Sequence, residues 1–476
     1  MNFIERHGCW SAEQKDQAAE VLERVARDEI DLVRFSFPDL HGILRGKALT
    51  APAVPAALRD GVSITSTLLL KDSSHHTVAP IFSAGAGLGS PRFEGGGDVV
   101  MVPDPATFRC LPWARGSAWM MCDLHYTDGS PVPHATRNVA RNALTALATH
   151  KRAMMCGLEV EFHLFRRIEP HLAIDDGGQP GAPPEVGLLH QGYNYLTDNS
   201  FDQLSPIVDI LRREVMALGL PLISTELEFG PSQCEFVFKA SPALAAADDM
   251  ILFRTAVKQV SARHGYHATF MCRPAFANAM SSGWHLHQSL ADDQGRNTFA
   301  GDAGTGLSGE GLTYLAGLLD HASAFSAFGA PTINAYKRYR PNSLAPDRIA
   351  WGRDNRGAML RVIDGLSPSA TRIENRSGEP AANPYLYIAG QAIAGLSGIE
   401  AARQPPPPVE TPYAGDLTLL PRSLEEALVA LDRSALARTR MGDEFVDYFL
   451  MVKRHEIERF RSAVTDWEHR EYFGAF

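Results

Sequence analysis

Four short segments place polar residues two apart inside otherwise apolar runs, and this constrains the fold more than any other feature of the chain. A strand carries residues i and i+2 on one face. Gly157-Leu-Glu-Val-Glu-Phe-His-Leu-Phe165 therefore predicts Glu159 and Glu161 on a shared face. Trp284-His-Leu-His-Gln-Ser289 does the same for His285, His287 and Ser289, and Thr371-Arg-Ile-Glu-Asn-Arg376 for Arg372, Glu374 and Arg376. Glu226-Leu-Glu-Phe-Gly-Pro-Ser-Gln-Cys-Glu235 adds Glu228 and Glu235 across a Gly-Pro turn. Any one segment alone reads equally well as the solvent side of a half-buried antiparallel strand. Together they are harder to explain that way, because like charges at i, i+2 repel unless a cation lies between them. Carboxylates with an imidazole suit Mg²⁺ or Mn²⁺ better than zinc.

A basic cluster follows. Lys337, Arg338, Arg340, Arg348, Arg353, Arg356 and Arg361 fall within 25 positions of a chain whose formal net charge is −10. One arginine alone is best read as a surface ion pair, but this density points to bound phosphate or carboxylate. Divalent metals with arginines are the equipment of phosphoryl transfer. The overall acidity excludes nucleic acid and an anionic membrane as main partners. Gly42-Ile-Leu-Arg-Gly-Lys47 is too short for a Walker A loop, and Gly85-Ala-Gly-Leu-Gly89 is not a dinucleotide fingerprint.

A chain of 476 residues exceeds one compact core. The six cysteines form no C-x-x-C pair, which predicts neither a zinc knuckle nor a disulfide framework. Glu5, Arg6 and His7 stand where a signal peptide needs an apolar run, and Asp320 and His321 interrupt the longest apolar stretch. A cytoplasmic protein without membrane association is expected. Ser11-Ala-Glu-Gln14 predicts a capping box and a helix to about 28, followed by a strand at 31–37. Residues 75–133 are rich in Gly, Pro and Ser and show few periodic runs. A small α+β domain is expected over 1–128 and a larger one over 129–476, opening with a helix at 135–150. Its expected strands are 154–165, 222–229, 233–238, 267–272, 284–290, 358–363 and 371–376. Its expected helices are 204–218, 242–264, 308–328, 384–400, 423–433 and 442–463.

In order along nearly the whole chain, these motifs resemble the glutamine synthetase family. They are the E-x-E strand, the E-x-G-P-x-Q-x-E turn, the G-x-H-x-H-x-S-L strand, the N-x-Y-K-R flap, the N-R-x-x-x-x-R segment and the R-I-E-x-R strand. The resemblance implies an α+β protein with an N-terminal β-grasp domain and a catalytic domain built on a curved antiparallel sheet. It implies ATP as substrate, two or three Mg²⁺ or Mn²⁺ ions per site, and hexameric rings, often stacked as dodecamers, whose sites are completed by a neighbour. Carried over residue by residue, Glu161, Glu228 and Glu235 hold one metal, and Glu159, His285 and Glu374 the other. Arg338 and Arg376, with His285 beside them, grip glutamate. Arg356 and Arg361 meet the transferring phosphoryl group, while Ser289, His287 and Arg372 lie near the nucleotide. Asp60 and Ser63 complete the amine site. Arg356, Asp60 and Glu228 are the catalytic candidates.

Departures from the family pattern bear on the substrate. The flap glutamate that attracts ammonium in glutamine synthetases falls on Leu344, and burial of that side chain favours an apolar amine. The Asn-Gly pair before the histidine strand falls on Met280-Ser281, and a nucleotide-contacting Lys on Ser369. Loss of the flap acid with a W-G-x-D-N-R segment resembles the branch that makes γ-glutamyl amides. The expected activity is an ATP-dependent ligase joining glutamate to an aromatic amine such as aniline, or an alkyl amine, through γ-glutamyl phosphate. A polyamine ligase is the runner-up and ammonia-using glutamine synthetase the third. A non-catalytic relative would have lost metal ligands, and all six positions are intact. Tyr413 is expected to be an ordinary surface tyrosine, and His75 and His76 solvated loop residues.

Overall fold

Ser11 Oγ accepts the backbone N–H of Gln14 at 3.2 Å and Gln14 Oε1 that of Ser11 at 3.1 Å, so the expected capping box opens the second helix of the chain. The computed structural model describes residues 1–84, 91–301, 306–341, 344–364 and 367–476; the Gly85–Gly89 run lies outside the described residues. The first part contains α1 (Phe3–His7), α2 (Ala12–Arg27), β1 (Leu32–Pro38), β2 (Leu44–Thr50), α3 (Val54–Asp60), β3 (Val62–Thr65), β4 (Asp98–Pro103), β5 (Arg109–Cys110) and β6 (Ser117–His125). Its sheet runs β2-β1-β6-β4-β3 with β5 on β6, and β1 and β6 are parallel. In β1 the alternate residues Val33, Phe35 and Phe37 are buried, which is the alternation that made this strand legible. β6 is buried from Ala118 to Leu124, so it carries no alternation, and its short apolar run does not by itself separate a strand from a buried helix segment.

The second part begins with α4 (Thr136–Thr149). It continues with β7 (Ala153–Arg167), β8 (Val186–Leu188), α5 (Asp198–Ala217), β9 (Leu222–Leu227), β10 (Gln233–Pro242) and α6 (Ala243–Arg263). Then come β11 (Tyr266–Thr269), β12 (Trp284–Ala291), α7 (Gly309–Asp320), α8 (Ala322–Gly329), β13 (Trp351–Arg353), β14 (Leu360–Ile363), β15 (Arg372–Gly378) and α9 (Pro384–Glu400). The chain closes with α10 (Leu424–Asp432), α11 (Ala435–Met441), α12 (Asp443–Ser462) and α13 (Asp466–Tyr472). The sheet order is β13-β14-β15-β12-β7-β10-β9, with β8 and β11 also on β7. The helix expected over 308–328 is two, because the backbone leaves helical geometry at His321 (φ −109°, ψ 9°), within the Asp320-His321 pair that interrupts the apolar run.

Two faces of β7 carry two jobs. Leu158, Val160, Phe162 and Leu164 are buried, and Phe162 meets the rings of Phe236, Phe253 and Phe270 at 5.4, 5.8 and 5.0 Å. This apolar side packs on α6. The opposite face carries Glu159, Glu161 and His163. A buried ionic hub ties the two parts of the chain. Arg137 on α4 donates to Asp104 at 2.7 Å, to Asp123 on β6 at 2.9 Å and to both oxygens of Asp248 on α6 at 2.9 and 2.8 Å. Tyr385 on α9 donates to Asp248 at 2.6 Å. Buried Arg254 adds a second fastening, donating to the carbonyls of Gly42, Pro380 and Ala382. Among the described residues no helix is long and apolar enough to cross a membrane.

Candidate active site

Strand register draws three polar rows across the sheet, with neighbours about 4.8 Å apart. Glu226 on β9 pairs with Glu235 on β10, which pairs with Glu161 on β7. Val237 pairs with Glu159, which pairs with His285 on β12. His287 pairs with Glu374 on β15, which pairs with Arg361 on β14. Residues far apart in sequence thus converge because antiparallel pairing aligns their pleats.

The first row, with Glu228 just beyond the end of β9, has too much negative charge. Single oxygens of Glu161, Glu228 and Glu235 lie within 4.8 Å of one another. Burial and the neighbouring Glu161 push the Glu228 carboxyl up to about 8, and burial with the same neighbour raises Glu235 well above the usual range. Glu161 is held by the N–H of Gly283 at 2.9 Å and by Gln233 at 3.2 Å. An all-oxygen set of three converging carboxylates is what a hard divalent cation takes.

In the second and third rows Glu159 meets two imidazoles, His285 Nδ1 at 3.2 Å from one oxygen and His287 Nε2 at 2.8 Å from the other. Burial alone would raise the Glu159 carboxyl, but these histidines outweigh it and hold it low. The sequence places only His285 with Glu159 and Glu374. The structure groups His287 with that pair, and groups His285 with Glu159 and Glu235 instead. Arg372 Nε donates to His287 Nδ1 at 3.0 Å and so orients the ring. Glu374 is fully buried and receives Arg361 at 3.0 Å and Arg376 by a short contact. Burial would raise its carboxyl, and His285 with Arg376 lowers it.

A cavity of about 540 Å³ opens over these rows. Glu159, Glu161, Glu228, Glu235 and His285 line it, as do Arg338, Arg356, Arg361, Arg376 and Leu344. Arg338 is buried and donates to the carbonyl of Arg376 at 2.8 Å. Gly283 makes room for it: a Cβ there would stand 2.3 Å from Arg338 Nη2. Arg356 is exposed and makes no ion pair among the described residues. Leu344, also exposed, has a φ of 58°, unusual for a branched side chain. Ser289, His287, Arg372 and Glu374 do not line the cavity, although His287 and Glu374 belong to the third row.

Asp60 and Ser63 are not brought to this cavity. Asp60 accepts the N–H of Phe3 at 3.2 Å, and the Ser63 carbonyl accepts Lys47 at 2.6 Å. Both belong to the α3–β3 segment at the edge of the first sheet. Tyr413 corrects its expectation as a surface residue: it is half-buried beneath the Arg348 guanidinium, 5.3 Å from its ring centre. His76 is likewise held in place, its backbone N–H donating to buried Asp72 at 2.8 Å.

The sequence reading missed part of the wall. Glu226, Tyr193, Tyr195, Phe229, Arg273 and Asn278 also line the cavity. Glu226 was readable as the i−2 partner of Glu228; the aromatic residues sit in loops and have no period to reveal them. Buried Glu379 accepts both the N–H and the hydroxyl of Thr332 at 3.0 Å and so anchors the segment leading into Asn334–Arg338.

A curved antiparallel sheet with acid and histidine rows, lined by arginines, defines the glutamine synthetase family, and the chain belongs to it. The family's catalytic domain matches residues 133–472. The chain is 41% identical to a γ-glutamylanilide synthase of Acinetobacter sp, with 99% of each covered, and 36% identical to a γ-glutamylethanolamide synthetase of Streptomyces coelicolor, with 94% of each covered. A solved structure described as apo GmaS without ligand superposes with a TM-score of 0.80 at 28% identity, covering 95% of this chain and 99% of that one.

Proposed function

We propose that the protein joins the γ-carboxyl of glutamate to a hydrophobic primary monoamine at the expense of ATP. The observation that carries this reading is the combination, in one cavity, of five lining carboxylates facing arginines with Leu344 at the flap position. A γ-carboxylate oxygen attacks the terminal phosphorus of ATP and ADP leaves. The amine nitrogen then attacks the acyl carbon, inorganic phosphate departs, and the surplus amine proton passes to a carboxylate. In this reading Arg338 and Arg376 hold the substrate carboxylate, and unpaired Arg356 with Arg361 neutralises the transferring phosphoryl group. Glu161, Glu228 and Glu235 would hold one Mg²⁺ or Mn²⁺, and Glu159, Glu374 and a histidine another. Such ions, when bound, supply charge neutralisation on the phosphates. Ser289, His287 and Arg372 belong to the nucleotide side.

Asp60 and Ser63 act, in the same reading, at a neighbouring chain's cavity within stacked hexameric rings. Their absence from this chain's own cavity lining, and the edge position of β3, support that arrangement. A β-grasp domain over 1–128 and a catalytic domain over 129–476 fit two sheets that share no strand. Glu226 favours a second reading, a polyamine ligase, since it offers a distal ammonium the acidic partner that Leu344 does not.

The test is ADP release with glutamate and Mg²⁺ or Mn²⁺ over aniline, isopropylamine, ethanolamine, putrescine and ammonia. Aniline or isopropylamine should give the highest kcat/KM; putrescine in first place would establish the second reading, and ammonia would overturn both. Leu344→Glu should move preference towards ammonia by about tenfold, the scale of one interaction worth about 1.4 kcal/mol. An unchanged ratio of specificity constants would show that this position does not choose the amine.

A further inference from the structure

One part of the cavity wall has no counterpart in the phosphoryl-transfer machinery. Tyr195 and Phe229 stack face to face, with ring centres 4.2 Å apart and planes 7° from parallel, and both line the cavity. Phe229 directly follows Glu228, so the pair borders the acid row. Tyr195 is 42% exposed and Tyr193 57%, an unusual amount of bare aromatic surface beside five carboxylates.

The loop that presents these rings is built to hold its shape. Tyr193 N–H donates to the Phe229 carbonyl at 2.7 Å, and Tyr193 Oη to the Asn278 carbonyl at 3.0 Å. Gly192, Tyr193 and Leu196 all have left-handed backbones, with φ of 80°, 60° and 56°. A Cβ at Gly192 would stand 2.5 Å from the Pro231 nitrogen, so the loop is pressed against the Gly230-Pro231 turn that separates Glu228 from Glu235. Non-glycine residues adopt this conformation at a cost of about 1 kcal/mol or more each, and such strain persists where surrounding contacts over-determine it.

We infer that the stacked Tyr195–Phe229 pair is the specificity-determining surface for a planar aromatic ring on the amine. This rests on the ligase reading above and sharpens its substrate class. A flat ring can extend an existing offset stack with little loss of freedom, whereas a saturated ring of the same size makes apolar contact only. Aromatic pairs contribute about 0.5–1.5 kcal/mol beyond the area they bury. The pair binds the ring and positions the nitrogen towards the acid row. It takes no part in proton or phosphoryl transfer.

Aniline and cyclohexylamine, similar in size but not in flatness, separate the two effects. With the full-length protein, ADP release is measured for both amines in the wild type and in Tyr195→Ala, Tyr195→Phe and Phe229→Leu. Tyr195→Ala and Phe229→Leu should raise KM for aniline about tenfold more than for cyclohexylamine, corresponding to the upper part of that aromatic range. Tyr195→Phe should restore the aniline preference. Equal changes for the two amines, or a wild type that uses cyclohexylamine but not aniline, would overturn the inference while leaving the ligase reading intact. A wild type that releases ADP with no amine would overturn both.

Discussion

Arg137→Met is expected to be the most destabilising single change in this protein, lowering the unfolding free energy by about 3–5 kcal/mol. That is a large share of the 5–15 kcal/mol typical of folded proteins. The buried guanidinium serves Asp104, Asp123 and Asp248 at once, and without it the half-exposed Arg141 is the one cation left in an ion pair with Asp123 among the described residues. Methionine fills the volume but leaves the carboxylates uncompensated. Burial would raise the Asp123 carboxyl, yet Arg137 and Arg141 prevail and lower it from 3.8 to about 2. A carboxyl depressed in the folded state adds stability above its unfolded value and loses it as pH falls through the folded one. Between 3.8 and about 2 the unfolded chain binds more protons, so wild-type stability should drop there by roughly 2 kcal/mol from this group. In Arg137→Met the sign reverses: its deficit at pH 7 should shrink towards pH 4 as the stranded acids take up protons. Urea unfolding at both pH values checks this. A deficit below about 1 kcal/mol at pH 7, under a wild-type hydrogen bond's usual worth, would mean that the hub does not join the two parts of the chain.

Glu235→Gln should reduce ADP formation by about three orders of magnitude, or ~4 kcal/mol of transition-state stabilisation. It should do so without weakening the metal-free protein. Glu235 sits among Glu161, Glu228 and Glu226, and removing one of these charges relieves repulsion. The amide keeps the shape and one oxygen but not the charge that a divalent cation needs. Thermal unfolding with and without Mn²⁺ separates these effects. The wild type should be stabilised by the ion, while the variant should show a small ion response and a metal-free melting temperature equal to or above the wild type's. A full Mn²⁺ response in Glu235→Gln would remove this residue from the ligand set.

Legibility followed periodicity. β7, β12 and β15 declare themselves because one face is apolar and the other carries Glu159 and Glu161, His285 and His287, or Glu374 and Arg376. The same pattern that locates the strand names the candidate ligands. β6 gave no such signal, since both of its faces are covered. Family resemblance places His287 beside the nucleotide; its approach to Glu159 depends on cross-strand geometry and on Arg372 turning its ring, neither of which is local. Tyr195 and Phe229 are 34 positions apart and meet only because the 190–196 loop folds back on the Glu228–Pro231 turn. The Arg137 hub was equally hidden, because its partners come from four separate segments.

The two-faced build of β7 limits where this enzyme can change. A one-residue slip in β7 pairing would send Phe162 towards the cavity and Glu161 into the core, so the acid rows and the hydrophobic packing must be inherited together. Leu344 and the Tyr195 loop stand outside that pairing. On the proposed reading, substitutions there alter which amine is accepted while the apparatus that phosphorylates glutamate stays as it is. A scaffold divided in this way lets one lineage diversify its products through a few loop positions, with the phosphorylating chemistry kept under the protection of its own core.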